Sequence, residues 1–555
     1  MIVAGPILPL AALAWPLLLG LLAALPSVRA RALWLLPLAP LPALWVALAG
    51  AQGVTEAPDL LLGVTLELTR IGALLLGMTA ALWLAAGVYA LGYMPRTHNP
   101  AILAGFWCLT LSGNLGVFLA ADAVTFYVAF AAVSLAAYFL VVHERTARAL
   151  RAGRLYIVLA VLGEACLLLA ITIAAAAASS LMIADLRAAL AQAPLGGLAA
   201  GLYIAGFGLK AGLMPLHVWL PLAHPAAPTP GSAVLSGAIV KAGIMGLILF
   251  LPAGAVGWAP VMLGLGLAGA FAAALIGLTQ ANAKAVLAYS TISQMGLVIA
   301  ITAAGASTQA AFYALHHGLA KGALFLSVGL IAAAAGAWRM LTFALAGLAA
   351  LSVAGLPLTG GALVKAAAKP ALGGWAETAM TASALTTTLL LAWFLHVAAR
   401  DEPKAAQPPA AMWAPVAALA FGALALPWWL WAGWAGLPGD YPLRLATLRD
   451  AAWPVAAGGA LAGLALWRGW RLPALPEGDL APLLERAAAA AARWLRALNL
   501  RIDRSDRGGG RPVAALAYGV ERIARGAARG EAVLMQWRWA GALVLLLAGL
   551  LWLLL

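Results

Sequence analysis

Five ionisable side chains lie inside stretches that are otherwise apolar enough to cross a membrane. They are one acid and four bases: Glu164, Lys210, Lys241, Lys321 and Lys365. A charged group at the centre of a membrane-spanning helix costs roughly 2.5–3.5 kcal/mol on insertion scales, so such groups are rare and mark ion pathways. Amines and a carboxylate spaced through a membrane interior can pass protons to one another. We therefore expect the chain to move an ion.

A histidine adds to this set. His317 precedes Lys321 by four residues, so the two side chains share one face of a helix. Imidazole changes its charge near neutral pH, and it can accept a proton at one nitrogen while it donates one from the other. The spacing therefore indicates that His317 and Lys321 pass or sense a proton together.

The composition is typical of a membrane protein. The chain of 555 residues is 65% hydrophobic and only 9% charged, which is outside the range of soluble domains. Apolar runs of about 20 residues, enough to cross a hydrocarbon core of ~30 Å, predict sixteen spans. These lie near 3–25, 32–50, 71–94, 100–119, 121–142, 154–178, 198–220, 230–252, 257–279, 285–304, 308–335, 340–372, 378–399, 411–433, 451–467 and 538–555. Residues 1–25 lack a basic leader, so we interpret them as the first span and not as a cleavable signal peptide.

The charges of the loops predict the orientation. Arginine and lysine concentrate in the odd-numbered loops, at Arg29, Arg31, Arg96, Arg145, Arg148, Arg151, Arg400 and Lys404. The positive-inside rule places these loops in the cytoplasm and both termini outside a bacterial inner membrane. The net charge of +14 then reflects topology and attraction to anionic lipid, and no nucleic acid partner is expected.

Two predicted spans contain helix-breaking residues beside a lysine. Pro215 follows Lys210 and removes a backbone donor, and Gly355–Gly361, with a proline and paired glycines, precedes Lys365. Irregular backbone at membrane depth is tolerated only where it faces protein or a wet cavity. The two segments predict paired repeats with an ion site at each break. Two ordinary proline kinks are the alternative.

Four collinear segments carry a resemblance to a known family. They are GLKAGLMPLHVWLPLAHPAAPTPGSAVLSGAIVKAGIMG at 208–246, KAVLAYSTISQMG at 284–296, HHGLAKGALF at 316–325, and GLPLTGG at 355–361. The chain thereby resembles the antiporter-like proton-channel subunits of respiratory complex I, Mrp antiporters, membrane-bound hydrogenases, formate hydrogenlyases and inorganic-carbon transporters. The resemblance covers about residues 70–400.

The resemblance implies an all-α polytopic fold. That fold has about 16 transmembrane helices, two inverted five-helix repeats that each contain a broken helix, and amphipathic helices near the C-terminus on the cytoplasmic side. We therefore expect N-terminal transmembrane helices over 1–99 and the repeats over 100–252 and 253–400. Accessory transmembrane helices are expected over 401–470, an amphipathic lateral segment over 471–535, and a terminal transmembrane helix over 536–555.

The resemblance also implies roles for the matched residues. Lys210 would be a switch lysine, which an anion alternately approaches and leaves, and Lys365 would be the terminal group near the far exit. His217 would guide protons from the cytoplasmic side, whereas His224 is equally well interpreted as a solvated loop residue. The central part of the axis would run through Lys241, His317 and Lys321.

The chain departs from the family pattern at the partner of the switch lysine. The fifth helix of the family holds a glutamate where this chain has Ala131. Our hypothesis is that Glu164 on the sixth helix supplies the missing carboxylate to Lys210; a protonated and merely packed Glu164 is the alternative. A second departure is Asn282, where the family has aspartate, and Lys284 beside it could simply snorkel to the interface.

The region after residue 468 is basic at helical spacing. Its arginines include Arg486, Arg493, Arg496, Arg522, Arg525 and Arg529, and Gly508–Gly510 divides it. This pattern predicts two amphipathic helices that lie on anionic lipid or on a neighbouring subunit. A solvated basic tail is the alternative.

We expect a proton-translocating subunit, with Na⁺ as the alternative ion, of a multisubunit inner-membrane complex. No cofactor is expected, because the chain has no cysteine cluster and no dinucleotide-binding glycine motif; any redox activity would belong to other membrane subunits and a soluble or peripheral driving subunit. Three driving reactions stay open: redox chemistry, cation/proton antiport, and inorganic-carbon uptake. The run Trp219–Pro225 favours the hydrogenase-type branch, and a scaffold that has lost pumping is the remaining alternative.

Overall fold

The computed structural model describes residues 7–50, 53–60, 62–95, 97–400, 402, 407–470, 472–486 and 490. In these ranges the chain forms a helical bundle and one antiparallel pair of short strands. The first helices are α1 (Ile7–Ala24), α2 (Leu41–Ala49), α3 (Arg70–Tyr93), α4 (Pro100–Leu119), α5 (Ala123–Val141), α6 (Ala147–Ala175), α7 (Ile183–Leu190), α8 (Gly196–Ala211), α9 (Trp219–Ala226), α10 (Thr229–Val234) and α11 (Lys241–Phe250). They are followed by α12 (Ala259–Gly277), α13 (Ala283–Ala303), α14 (Ser307–Ala333), α15 (Gly336–Ala354), α16 (Gly360–Leu372), α17 (Gly374–Ala399), α18 (Ala410–Trp434) and α19 (Leu445–Trp467). The strands are β1 (Val54–Ala57) and β2 (Val64–Glu67).

Eleven helices in the described part of the chain are long and apolar enough to cross a membrane. They confirm a polytopic helical membrane protein, but the structure does not reproduce sixteen full-length spans. The predicted span near 32–50 contains a 3₁₀ turn at Arg29–Leu35 and the nine-residue helix α2, which is only about 14 Å long at 1.5 Å per residue. The span predicted near 340–372 is two helices, α15 and α16. The last predicted span, 538–555, lies outside the described residues, as does most of the predicted lateral segment.

The interior of the bundle is formed by a few central helices. In their most apolar windows, 94% of the residues of α13 and of α14 are buried, against 39% for α6 and α12. The outer helices present large apolar side chains such as Val158 and Leu162 to the surroundings, as expected for a lipid-facing surface. Lys321 lies on one of the central helices, and Lys241 begins another.

The first break separates α8 from α9, and a glycine produces it. Gly212 takes a left-handed conformation at φ +82°, and the amide of Leu213 donates to the carbonyl of Gly208 at 2.7 Å. This pairing is the Schellman arrangement that ends helices at glycine. The interruption was predicted correctly, but its cause was not, because α8 ends at Ala211, before Pro215 is reached.

The second break, between α15 and α16, is built in a similar way. Gly355 has φ +97°, and the amide of Leu356 donates to the carbonyl of Leu351 at 3.0 Å. Leu358 also has a positive φ, of 66°, before α16 begins at Gly360. Both lysine-bearing breaks are therefore true helix ends and not proline kinks inside continuous helices.

Candidate proton pathway

Glu164 faces the interior of the bundle because of its position on α6. Ala160, Glu164 and Leu167 are buried at helical spacing, whereas Val161 and Leu162 are exposed. Neither carboxylate oxygen of Glu164 has a hydrogen-bond partner. An unpartnered buried carboxylate is costly, so Glu164 requires a proton, a water molecule or a cation.

Lys210 lines the same small cavity as Glu164. The cavity leaves about 10 Å³ for the centre of a water molecule, which is room for roughly one. The Lys210 ammonium donates to the hydroxyl of Tyr156 at 3.3 Å, and that hydroxyl donates to the carbonyl of Ser134 at 2.6 Å. Glu164 and Lys210, both in the described part of the chain, share this cavity without forming an ion pair.

The C-terminal end of α8 and the side chains of α5 also contribute to this cavity. Lys210 lies in the last turn of α8, where the partial negative charge of the helix end favours a cation. Phe130 and Ser134 of α5 line the cavity, while Ala131, between them, is half-buried and brings no carboxylate. The acid that lines the cavity comes instead from α6, as the sequence hypothesis requires.

Lys241 and His317 form the central contact of the site. The Lys241 ammonium lies 2.7 Å from Nδ1 of His317 and donates to the carbonyl of Ser236 at 2.8 Å. Both side chains are fully or almost fully buried. Leu235–Ile239 forms a π-helical turn just before Lys241, and such turns are frequent at functional sites because they displace the helix that follows.

Two glycines allow this contact to be short. A Cβ added at Gly237 would lie 2.8 Å from the carbonyl oxygen of Gly318, and one added at Gly318 would lie 2.7 Å from that of Gly237. The π-helical turn and α14 therefore approach each other backbone to backbone. Small residues at helix interfaces permit such approaches in membranes, and here they bring Lys241 and His317 together.

Lys321 joins the same polar group through hydroxyl and carbonyl oxygens. Its ammonium donates to the carbonyl of Leu287 at 3.2 Å, and the hydroxyl of Thr291 donates to that carbonyl at 2.9 Å. The hydroxyl of Thr291 also lies 2.7 Å from that of Ser236, whose carbonyl accepts from Lys241. The structure thus brings Lys241, His317 and Lys321 into one buried network.

His316 is a functional candidate that the sequence reasoning missed. Neighbouring residues of a helix point about 100° apart, so His316 faces away from Lys241. Its Nε2 lies 2.9 Å from the hydroxyl of Ser352 near the second break. The His316–His317 pair therefore connects the central network on one side to α15 on the other. The two adjacent histidines in the sequence were the signal that could have identified His316.

Lys365 lies at the second break, as predicted from the sequence. Its ammonium donates to the carbonyl of Ala354 at 2.8 Å, which is the last residue of α15. The ammonium group therefore sits at the negative end of that helix. Lys210 thus lies in the last turn of α8, and the Lys365 ammonium group, from within α16, lies at the C-terminal end of α15. In both cases the negative end of an interrupted helix stabilises the positive charge.

A larger cavity adjoins Lys365. Its volume is about 260 Å³, and its lining includes Lys365, Lys369, Arg444 and Asp450. Lys369 pairs with Asp450 at 3.2 Å, and the Asp450 side chain is 58% exposed. Lys369 and Asp450 were not predicted, because Asp450 comes from α19, far along the chain. Water can enter this cavity and reach the last lysine of the axis.

His217 stands apart from the central network. It is fully buried, its Nε2 lies 3.1 Å from Oδ2 of Asp479, and its Nδ1 has no partner. The interpretation of His224 as a solvated loop residue is wrong: it is fully buried on α9 and stacks on Phe325, with ring centroids 4.5 Å apart.

Asn282 and Lys284 have structural roles at the start of α13. The side chain of Asn282 accepts from the amides of Lys284 and Ala285 and so caps the helix. The Lys284 ammonium donates to the carbonyl of Ala227 at 2.7 Å. Asparagine replaces aspartate here without loss of the cap, since both residues are good N-caps.

Known membrane proteins are similar to this chain in sequence. A family model described as "NADH:quinone oxidoreductase/Mrp antiporter, TM" matches residues 120–390. An uncharacterised protein of Mycobacterium tuberculosis is 35% identical over 332 residues, which are 54% of this chain and 51% of that protein. Hydrogenase-4 component B of Escherichia coli is 32% identical over 293 residues, which are 48% of this chain and 43% of the relative. The chain spans about half the length of these curated relatives.

A solved structure shows the same fold. The Mrp complex of Dietzia sp. DQ12-45-1b contains a chain with a TM-score of 0.73 and 24% identity, over 94% of this chain and 63% of that one. Hydrogenase-4 component B and the Mrp chain are parts of multisubunit membrane complexes. Residues 120–390, which include Glu164, both breaks and the central network, thus match the model of the membrane subunits shared by NADH:quinone oxidoreductases and Mrp antiporters.

Proposed function

We propose that this chain translocates protons along the axis from Glu164 and Lys210 through Lys241, His317 and Lys321 to Lys365. The single observation that carries the proposal is the 2.7 Å contact between the Lys241 ammonium and the His317 imidazole, fully enclosed by central helices. Two buried basic groups at this distance share a proton and cannot both carry a positive charge without a large electrostatic cost.

The chemistry of the axis favours protons over Na⁺. Its central groups are amines and imidazoles, which repel a metal cation when charged and offer nitrogen instead of oxygen when neutral, whereas hard cations prefer oxygen ligands. Among the described residues no group of three or more His, Cys, Asp or Glu side chains could hold a metal ion. Proton exchange between neighbouring bases remains the simpler use of this arrangement.

The positions of the two breaks support the proposed inverted repeats. Five helices that are long and apolar enough to span a membrane separate the α8–α9 break from the α15–α16 break. An odd number of crossings would make the chain run through the two breaks in opposite directions. Each break places a lysine at a helix end. We infer that the two halves perform related steps, with the Glu164 cavity at one end of the axis and the 260 Å³ cavity at the other.

The test is proton flux through the complex purified by way of this subunit and reconstituted in liposomes with an internal pH dye. Flux is measured under the redox reaction of any co-purifying iron–sulfur subunits, a Na⁺ or K⁺ gradient, and a bicarbonate gradient, since these conditions distinguish the three driving reactions. Identification of the co-purifying subunits complements the assay.

We expect Lys241→Met to lower flux at least about tenfold, the lower range for loss of a positioned acid–base group. Methionine has a side chain of similar length to that of lysine, and it removes the titratable amine. Lys404→Met, in the polar linker between predicted spans, is the matched control and should leave flux unchanged. A wild-type complex that carries no protons under any of the driving conditions would show that the chain is a scaffold.

A further inference from the structure

The C-terminal segment 472–486 folds back onto the end of the bundle that carries Arg148 and Arg151. This segment lies outside the residues that match the family model. It brings Asp479 to His217, with Oδ2 and Nε2 3.1 Å apart, and the two side chains are 10% and 1% exposed. A carboxylate from far along the chain thus contacts His217, a candidate pathway residue outside the central network.

Several contacts other than this pair hold the segment in place. Arg151 forms a two-pronged ion pair with Glu485, with both N–O distances at 2.8 Å, and Arg148 pairs with Glu477. The amide of Gln280 donates to the carbonyl of Leu475 at 3.2 Å. Asp479 is therefore one of several contacts that hold the segment, and each exposed ion pair contributes little by itself.

A purely stabilising role does not explain the Asp479–His217 contact well. Removing an ion pair from water costs as much as the pair recovers, and exposed pairs already anchor the segment. The second nitrogen of the ring, Nδ1, is buried and has no partner. His217 thus has one nitrogen on a carboxylate near the surface and the other directed into the protein, with the ring of Tyr289 6.3 Å away as a further titratable group facing it.

We propose that Asp479 is the proton-uptake group of the pathway and that the C-terminal segment completes its entrance. The carboxylate takes a proton from surface water and passes it to Nε2 of His217. The imidazolium formed there releases the proton on Nδ1 to a water molecule on the bundle side, which leaves a neutral ring and a free carboxylate. Rotation of the ring restores the starting arrangement. This inference rests on the proposed function.

The test uses the full-length subunit in its reconstituted complex. Asp479→Asn keeps the shape and the hydrogen bond but cannot release a proton, and we expect flux to fall at least about tenfold. Asp479→Glu should recover most of the flux. Glu485→Gln, which removes an anchoring ion pair of the same segment, is the control and should change flux by less than about twofold, because exposed pairs contribute little.

Chemical rescue separates proton uptake from a structural role. Acetate added on the side of the segment should restore flux in Asp479→Asn, because a small acid can deliver the proton to His217, and it should not affect the wild type. Wild-type flux in Asp479→Asn, or a loss that neither glutamate nor acetate repairs, would overturn the inference while leaving the proposed function standing. Absence of flux in the wild type would instead reject the proposed function, and this inference with it.

Discussion

At the scale of single residues, the proposed role of Lys210 as a switch depends on Glu164. It lines the Lys210 cavity, and both of its oxygens lack a partner. Glu164→Gln keeps the volume but can neither ionise nor give up a proton. We expect proton flux to fall at least about tenfold, as for loss of other positioned acid–base groups.

Glu67→Gln is the control for this substitution, because Glu67 is an exposed carboxylate of β2 away from the cavity. Flux should be unaffected there, and the melting temperatures of both variants should stay close to that of the wild type. Normal flux in Glu164→Gln would remove Glu164 from the mechanism and leave Lys210 without an anionic partner in this cavity.

His143, just beyond the end of α5, predicts a pH dependence of stability. Burial, the stacked ring of His98 and the charge of Arg145 lower the pKa of His143 from 6.5 to about 4. Because the folded pKa lies below the unfolded value, the stabilising contribution is complete above pH 6.5 and is lost as the pH falls toward 4. The full effect is on the order of 3 kcal/mol, since one pKa unit corresponds to about 1.4 kcal/mol.

Thermal unfolding of the purified protein between pH 7.5 and pH 4.5 tests whether His143 causes this loss of stability at low pH. Nε2 of His143 lies 2.8 Å from the hydroxyl of Thr97. The substitution His143→Gln removes the group that titrates. The wild type should lose more stability than the variant as the pH falls. Parallel curves for the two proteins would contradict the assignment.

At the scale of elements, the approach of the π-helical turn to α14 sets the central contact. A methyl group at Gly318 would meet Sδ of Met78 as well as the carbonyl of Gly237. Gly318→Ala should therefore push the helices apart, lower the melting temperature and reduce proton flux. The cost of such overpacking is typically about 1–3 kcal/mol.

Gly264→Ala is the matched control for this element. Gly264 lies on α12 with open space where a Cβ would stand, so alanine there should leave flux unchanged and should not destabilise the protein. If Gly318→Ala is as stable and as active as Gly264→Ala, the close approach is not required for the Lys241–His317 contact.

The same elements show how much of the site the sequence could predict. Lys210 and Lys365 were placed at breaks, and the breaks are there, because glycine and proline act through local backbone geometry. The link from His316 to Ser352, the Lys369–Asp450 pair and the Asp479–His217 contact were not predicted. Each joins residues that are distant in the chain, and no local pattern specifies which distant segments meet.

At the scale of the whole molecule, the two ends of the axis should open to opposite sides of the membrane. Ala446 lines the larger cavity, and Ala147 begins α6 beside Arg148 and Arg151. Both side chains are exposed. In a background with Cys108 and Cys166 replaced by serine, Ala446→Cys should react with a membrane-impermeant thiol reagent from the outside of intact cells.

Ala147→Cys should react with the same reagent only after the membrane is opened, because the positive-inside rule assigns the arginine-bearing end to the cytoplasm. The two variants share the same substitution and the same background, so each is the control for the other. Labelling of both positions from one side would reject an axis that crosses the membrane.

The sequence by itself determined the class of the protein and predicted candidate residues for proton transfer. Apolar runs and costly buried charges are properties of composition and of helix length, and they do not depend on how helices pack. Only the tertiary structure decided which groups touch. Contacts such as Lys241 with His317 and Asp479 with His217 depend on the separation and rotation of whole helices and segments, which packing of the complete bundle fixes.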